Sequence, residues 1–245
     1  MNVALQQIGL RWQCIVFDLD GTLLDTRGAL LQAINAVLKT LQRRSVLDGE
    51  VADVMHEGIE AMFMRALSLT GVMPDADKCA DLSVEVSRRY LSAAPSISPF
   101  PALTPLLELL RVSRVNMAVC TNQLEAHARA LLAHFGLSRY FIEVVGRDTF
   151  AVPKPNPFPL IWLLGRCGVH PTRALMVGDS ELDAQCGIAA GADVLLMRHG
   201  YGGAATLSKH ASCHDFAALH QLMQSMLRMQ PIEKTELTLD SASLN

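Results

Sequence analysis

The chain has 245 residues, half of them hydrophobic, and a formal net charge of −3, so a large core is expected and a broad basic surface for nucleic acid or a membrane face is not. Six cysteines without a C-x-x-C pair read as small core residues of a reducing, cytoplasmic protein rather than as a disulfide framework. No signal peptide is expected, and no apolar run reaches the ~20 residues of a membrane span.

In chain order, the apolar run Cys14-Ile15-Val16-Phe17 predicts a buried parallel strand over 13–19. It runs into Asp18-Leu19-Asp20-Gly21-Thr22. Residues i and i+2 of a strand share a face, so Asp18 and Asp20 point into one site if the strand stays extended that far. Residues 27–43 then predict an amphipathic helix, through Leu30, Leu31, Ile34, Val37, Leu38 and Leu41. Helices are also predicted over 50–69 and 77–92, and Pro95 with Pro99-Phe100-Pro101 marks a linker. Strands at 117–120, 141–145, 174–177 and 194–197 next alternate with helices near 102–112, 124–135, 156–167, 181–190 and 214–228. This is the pattern of an α/β fold, a doubly wound, Rossmann-like parallel sheet. Residues 1–26 and 96–230 are read as its core, 27–95 as an inserted helical cap, and 231–245 as a mobile tail.

Three more groups fall at or beyond predicted strand ends: Thr121-Asn122, Lys154-Pro155-Asn156-Pro157, and Gly178-Asp179-Ser180-Glu181-Leu182-Asp183. Ligands of such sheets bind outside the carboxyl ends of the strands. Singly, Thr121 and Asp179 also read as helix caps and Lys154 as a surface charge. Together and in this order, they form a constellation.

D-x-D-G-T, T-N, K-P-x-P and G-D-S-x-x-D, with a helical insertion after the first, resemble the motifs of the haloacid dehalogenase-like hydrolase superfamily, over about residues 13–225. Within it the chain is most similar to the phosphoglycolate phosphatase group, through Asp18–Thr26, Thr121–Gln123, Val145–Phe150, Lys154–Pro157, Val177–Asp183 and Gly191-Ala192. The resemblance implies Asp18 as nucleophile, forming an aspartyl-phosphate, and Asp20 as the acid that protonates the departing alkoxide and then the base for water. It implies Mg²⁺ held by the Asp18 and Asp179 carboxylates and the Asp20 carbonyl, an all-oxygen set suited to a hard ion. Ser180 and Asp183 support that site. Phosphate is met by the main chain at Leu19, by Thr121 and Asn122, and by the positive charge of Lys154.

The expected activity is hydrolysis of a small phosphorylated metabolite, first of all 2-phosphoglycolate. Sugar phosphates, amino-sugar phosphates and nucleotides are the alternatives. A phosphomutase is disfavoured because residues 27–33 hold no His. A domain phosphorylated on Asp for signalling is the rival from another class, and it would have no use for Asp20 or a cap. The loop Met55-His56-Glu57-Gly58-Ile59 is expected to select the substrate; Arg27 and Arg65 are nearby cations, each read first as a helix-face charge, and His56 is read as packing. Gly200-Tyr201-Gly202-Gly203 is expected to be a flexible loop beside the site.

Overall fold

The architecture is seen in a computed structural model, which describes residues 11–228; the expected tail at 231–245 lies outside them. Strand β1 is Cys14–Phe17, and β2 is the short Leu24–Asp25. Helices α1 (Arg27–Thr40), α2 (Asp48–Val51), α3 (Ile59–Thr70) and α4 (Ala76–Ser92) follow, before β3 (Ser98–Pro99). The remainder alternates: α5 (Leu103–Val112), β4 (Asn116–Cys120), α6 (Glu125–His134), β5 (Glu143–Val145), α7 (Phe158–Cys167), β6 (Ala174–Gly178), α8 (Glu181–Ala190), β7 (Asp193–Met197), α9 (Ala204–Leu207), β8 (Ser212–Cys213) and α10 (Phe216–Arg228).

Six strands form one sheet in the order β5-β4-β1-β6-β7-β8. Every pairing in it is parallel. The central strand is buried on both faces, which explains why it reads as an unbroken apolar run. Its alternate residues feed two cores. Ile15 and Phe17 join Leu106, Leu107, Leu110, Phe216 and Leu219 on one side. Cys14 and Val16 join Leu160, Leu163, Leu164 and Cys186 on the other.

The cap is built from helices whose apolar stripes meet each other. α1 buries Leu30, Ile34, Val37 and Leu38, α3 buries Met62, Phe63 and Leu67, and α4 buries Leu82, Val86 and Tyr90. The two chain crossings between cap and sheet run side by side, because β2 pairs antiparallel with β3.

Several predicted bounds shift for identifiable reasons. The helix expected over 27–43 stops at Thr40, since Gln42 has φ 56° in the left-handed region. The single helix expected over 50–69 is three pieces: α2, a 3₁₀ segment Ala52–Glu57, and α3. Gly58 breaks it, at φ 100°, and a Cβ there would lie 2.5 Å from the Asn122 carbonyl oxygen. α7 starts at Phe158 rather than 156, with the Asn156 side chain accepting from the Phe158 N–H at 2.9 Å. The ribbon β2–β3 and strand β8 have no separate sequence signal, each being two residues long.

Phe63 is fully buried on the apolar stripe of α3. Phe63→Ala should destabilise the protein by about 3–5 kcal/mol, read as a lower urea midpoint.

Candidate active site

Three adjacent central strands, β4, β1 and β6, end within one residue of one another. The next residues are Thr121, Asp18 and Asp179. Pairing of β1 ends near Phe17, although the Asp18 N–H still donates to the Val177 carbonyl at 2.8 Å. The chain then turns tightly: the Leu19 carbonyl accepts from the N–H groups of Thr22, Leu23 and Leu24. Asp20 is thus brought beside Asp18 by a loop and not by an extended strand.

Lys154 arrives from the segment between β5 and α7 and is buried. Its Nζ donates to Asp18 Oδ1 at 2.7 Å and to Asp183 Oδ1 at 2.5 Å. Burial would lower the pKa of this ammonium, but Asp18 and Asp183 hold it well above the ordinary lysine range. Asp183 Oδ2 accepts from the N–H groups of Asp179 and Ser180 and from the Ser180 hydroxyl at 2.6 Å. That hydroxyl oxygen in turn caps α8. Burial opposes ionisation of Asp183, yet Lys154 and Ser180 hold its carboxyl below the usual range.

Asp18 and Asp179 are less well balanced. Burial pushes Asp18 up to about 7 despite Lys154. Burial, with Asp18 and Asp183 alongside, pushes Asp179 well above the carboxylate range. Among the described residues, the Asp179 carboxylate receives only the Thr22 hydroxyl at 3.3 Å and the Tyr201 N–H at 2.5 Å. Oxygens of Asp18, Asp179 and Asp183 lie within 4.8 Å of one another. Three buried carboxylates with one ammonium leave a negative excess. The donor set is all oxygen, so the residues fit a hard divalent cation.

Asp20 is anchored from both directions. The Tyr90 hydroxyl of α4 donates to it at 3.3 Å, and Gln123 Nε2 at 3.5 Å. Burial raises its pKa, and those donors pull the other way. Asp18 and Asp20 line a pocket with Thr121, Asn122, Gln123, Lys154, Ser180 and Tyr201. Met55, His56 and Gly58 close it from the cap. Asp179 and Asp183 sit behind that surface, almost wholly buried. The Leu19 side chain is buried too, which leaves only its main chain for the site.

Some sequence readings need correction. Thr121 and Asp179 are not helix caps; Leu124 and Ser180 hold those positions. The Asn122 side-chain nitrogen is occupied by two carbonyls, those of His56 at 3.1 Å and Lys154 at 3.0 Å. Arg27 and Arg65, in keeping with their reading as helix-face charges, pair with Asp48 and Asp53. His56 lines the pocket and is not mere packing, and Glu57 is exposed. The Gly200–Gly203 loop is packed against Asp179: Cβ atoms on Gly200 and Gly202 would fall 2.3 and 1.8 Å from Asp179 atoms. Tyr90 and Tyr201 were not foreseen as site residues. Tyr90 is hidden in the apolar stripe of α4, and for Tyr201 the flanking glycines were the available signal.

A parallel sheet presenting a carboxylate pair, a buried lysine and an acid cluster that fits a divalent cation suits a hydrolase of the phosphoryl-handling kind. The profile of the haloacid dehalogenase-like hydrolases matches residues 15–197. A phosphoglycolate phosphatase of Rhodospirillum rubrum is 36% identical over 215 residues, covering 84% of this chain and 89% of that protein. One from Aquifex aeolicus is 33% identical, covering 76% and 85%. The crystal structure of a predicted phosphoglycolate phosphatase from Haemophilus somnus superposes with a TM-score of 0.80 at 26% identity, over 86% of this chain and 98% of that one. The chain belongs to the haloacid dehalogenase-like hydrolases, in the phosphoglycolate phosphatase group, and is a phosphoric monoester hydrolase. CbbY from Rhodobacter sphaeroides, in complex with phosphate, shares the fold at 22% identity and a TM-score of 0.76.

The raised pKa of Asp179 has a consequence for stability. Without metal, the folded protein keeps this proton at pH values where the unfolded chain, with a carboxylate pKa of about 3.9, has released it. The group's contribution to stability therefore falls as pH rises above that value. Asp179→Asn removes the effect. In EDTA, the gain in thermal midpoint of Asp179→Asn over wild type should be larger at about pH 7.5 than at about pH 5.

Proposed function

We propose that the protein is a Mg²⁺-dependent phosphatase that hydrolyses a small phosphomonoester, 2-phosphoglycolate first, through an aspartyl-phosphate on Asp18. The observation that carries this is the pairing of Asp18 with the buried Lys154 on the pocket floor, with Asp20 anchored beside it. Lys154 engages Asp18 Oδ1, and Oδ2 has no hydrogen-bond partner among the described residues. A carboxylate oxygen of Asp18 attacks phosphorus. The ester P–O bond breaks, and Asp20 gives its proton to the departing alkoxide. Asp20 then takes a proton from water, whose oxygen attacks the same phosphorus. This releases inorganic phosphate and restores the Asp18 carboxylate.

The Asp18 and Asp179 carboxylates and the Asp20 carbonyl would hold Mg²⁺, which supplies positive charge against the phosphoryl oxygens. Ser180 and Asp183 fix the surrounding geometry, the Ser180 hydroxyl donating to Asp183, which also accepts from Lys154. The Thr121 hydroxyl reaches the pocket as a phosphate donor while its oxygen accepts the Gln123 N–H at 3.1 Å.

Two observations support the phosphoglycolate reading. The relatives carry that name. The acid of the cap loop, Glu57, is exposed, whereas His56 lines the pocket, so a carboxylate-bearing substrate meets an imidazole there and not a like charge. The free cysteines support action in the cytoplasm.

Asp18→Asn should abolish phosphate release, and Asp20→Asn should lower kcat by about 10²–10⁴-fold. Chelation by EDTA should stop turnover, with Mg²⁺ restoring it. A steady-state panel ranks 2-phosphoglycolate against sugar monophosphates, nucleotides and xylulose 1,5-bisphosphate, the compound held by the CbbY variant structure. A higher kcat/KM for any of the others would displace phosphoglycolate, and turnover by Asp18→Asn would sink the mechanism.

A further inference from the structure

Tyr201 touches both the acid cluster and the chain crossing into the cap. Its backbone N–H donates to Asp179 Oδ2 at 2.5 Å. Its phenolic oxygen accepts from the backbone N–H groups of Thr26 at 2.7 Å and Arg27 at 2.9 Å. The same hydroxyl donates to Asp25 Oδ1 at 3.0 Å. These three residues, Asp25, Thr26 and Arg27, are the end of β2 and the start of α1, where the chain leaves the sheet for the cap. The Arg27 guanidinium lies 4.4 Å from the Tyr201 ring centre and pairs with Asp48 of α2 at 3.0 Å.

The first N–H groups of a helix lack intrahelical partners. An N-cap side chain usually supplies one, but Thr26 makes no such bond in α1. The acceptor comes instead from a loop about 175 residues further along the chain. The surroundings are shaped to admit it. A Cβ on Gly21 would lie 2.8 Å from the Tyr201 ring, and one on Gly202 would strike the Asp179 carbonyl oxygen. Asp25 takes the phenolic proton, which turns the oxygen lone pairs toward the two amides.

We propose that Tyr201 is a positioning residue for the phosphatase reaction, a strut that sets the cap's first hinge strand at a fixed distance from Asp179. Cap placement and the acid cluster are then adjusted together, because one residue's main chain serves the cluster and its hydroxyl serves the hinge. Removing the hydroxyl alone leaves the ring, the Arg27 stacking and the Asp179 contact in place. It should enlarge the population of misplaced caps and so reduce the fraction of enzyme competent to bind, which raises apparent KM by that fraction.

The inference rests on the phosphatase reading for its kinetic arm, whereas its hydrogen-exchange arm does not. In Tyr201→Phe, the amides of Thr26 and Arg27 should exchange at least tenfold faster. KM for p-nitrophenyl phosphate should rise at least fivefold, with kcat within twofold of wild type. Asp25→Ala should reproduce both changes, and Asp25→Asn, which keeps an acceptor oxygen, should restore most of each. A change confined to the thermal midpoint, with KM unaltered, overturns the positioning role. Unchanged exchange at both amides overturns the strut itself. An inactive wild type would strike the functional reading alone, since the exchange measurement still decides whether the hydroxyl holds the hinge.

Discussion

The site depends on one buried cation. Lys154 is removed from water, and an isolated ammonium in that position would lose its proton or unfold its surroundings. It stays charged because Asp18 and Asp183 each lie within 2.7 Å of it. The dependence is mutual, since removing one partner of a buried pair typically costs about 3–5 kcal/mol. Asp183 is stabilised further by two backbone N–H groups and a hydroxyl. The ammonium therefore satisfies Asp183 fully and Asp18 only in part. Asp179 is left almost without positive charge. That residual imbalance is what fits the cluster to the cation of the proposed function.

This electrostatic arrangement needs a frame that does not move. The parallel sheet provides it, since β4, β1 and β6 end within one residue of one another and their backbones are fixed by pairing on both sides. Thr121, Asp18 and Asp179 inherit that rigidity directly. Lys154 does not lie on a strand, and its position is set by charge and by the Asn122 bond to its carbonyl. Asn122 thus ties together the second motif, the lysine segment and the cap loop. Its residue type is explained by backbone recognition, and the phosphate need not be invoked for the side-chain nitrogen.

The sheet and the acids were legible because their physics is local. A strand buried on both faces announces itself as an apolar run, and acids at its carboxyl end have few structural uses. Lys154 and Asp183 were legible through motif spacing, although their direct contact was not. The turn at Gly21 was read correctly, but the loop that delivers Asp20 was not, since three amides converging on the Leu19 carbonyl leave no mark in hydropathy. The break at Gly58 was missed for a related reason. Its cause is the Asn122 carbonyl, 64 residues away in the sequence, and a helical period continues across it undisturbed. Tyr90 reads as core because it is core, with one polar atom that happens to reach Asp20. Contacts made by single atoms across long sequence separations are the part that periodicity does not encode.

The division of labour between main chain and side chain bears on how a substrate is chosen. The cap loop approaches the catalytic face through the His56 carbonyl and the space that Gly58 leaves free. Neither contact consumes a cap side chain. The loop is therefore seated by its backbone, and of its residues Met55 and His56 line the pocket, Met55 while buried in the core. Substitution at those two positions alters what the substrate's distal end meets without unseating the loop. A catalytic half held by buried charges tolerates little change, since every member is another's counterpart. The cap loop is held instead by the His56 carbonyl and by the close approach that Gly58 permits. On the proposed function, the chemistry can thus stay fixed on this scaffold while a few cap residues vary around the pocket.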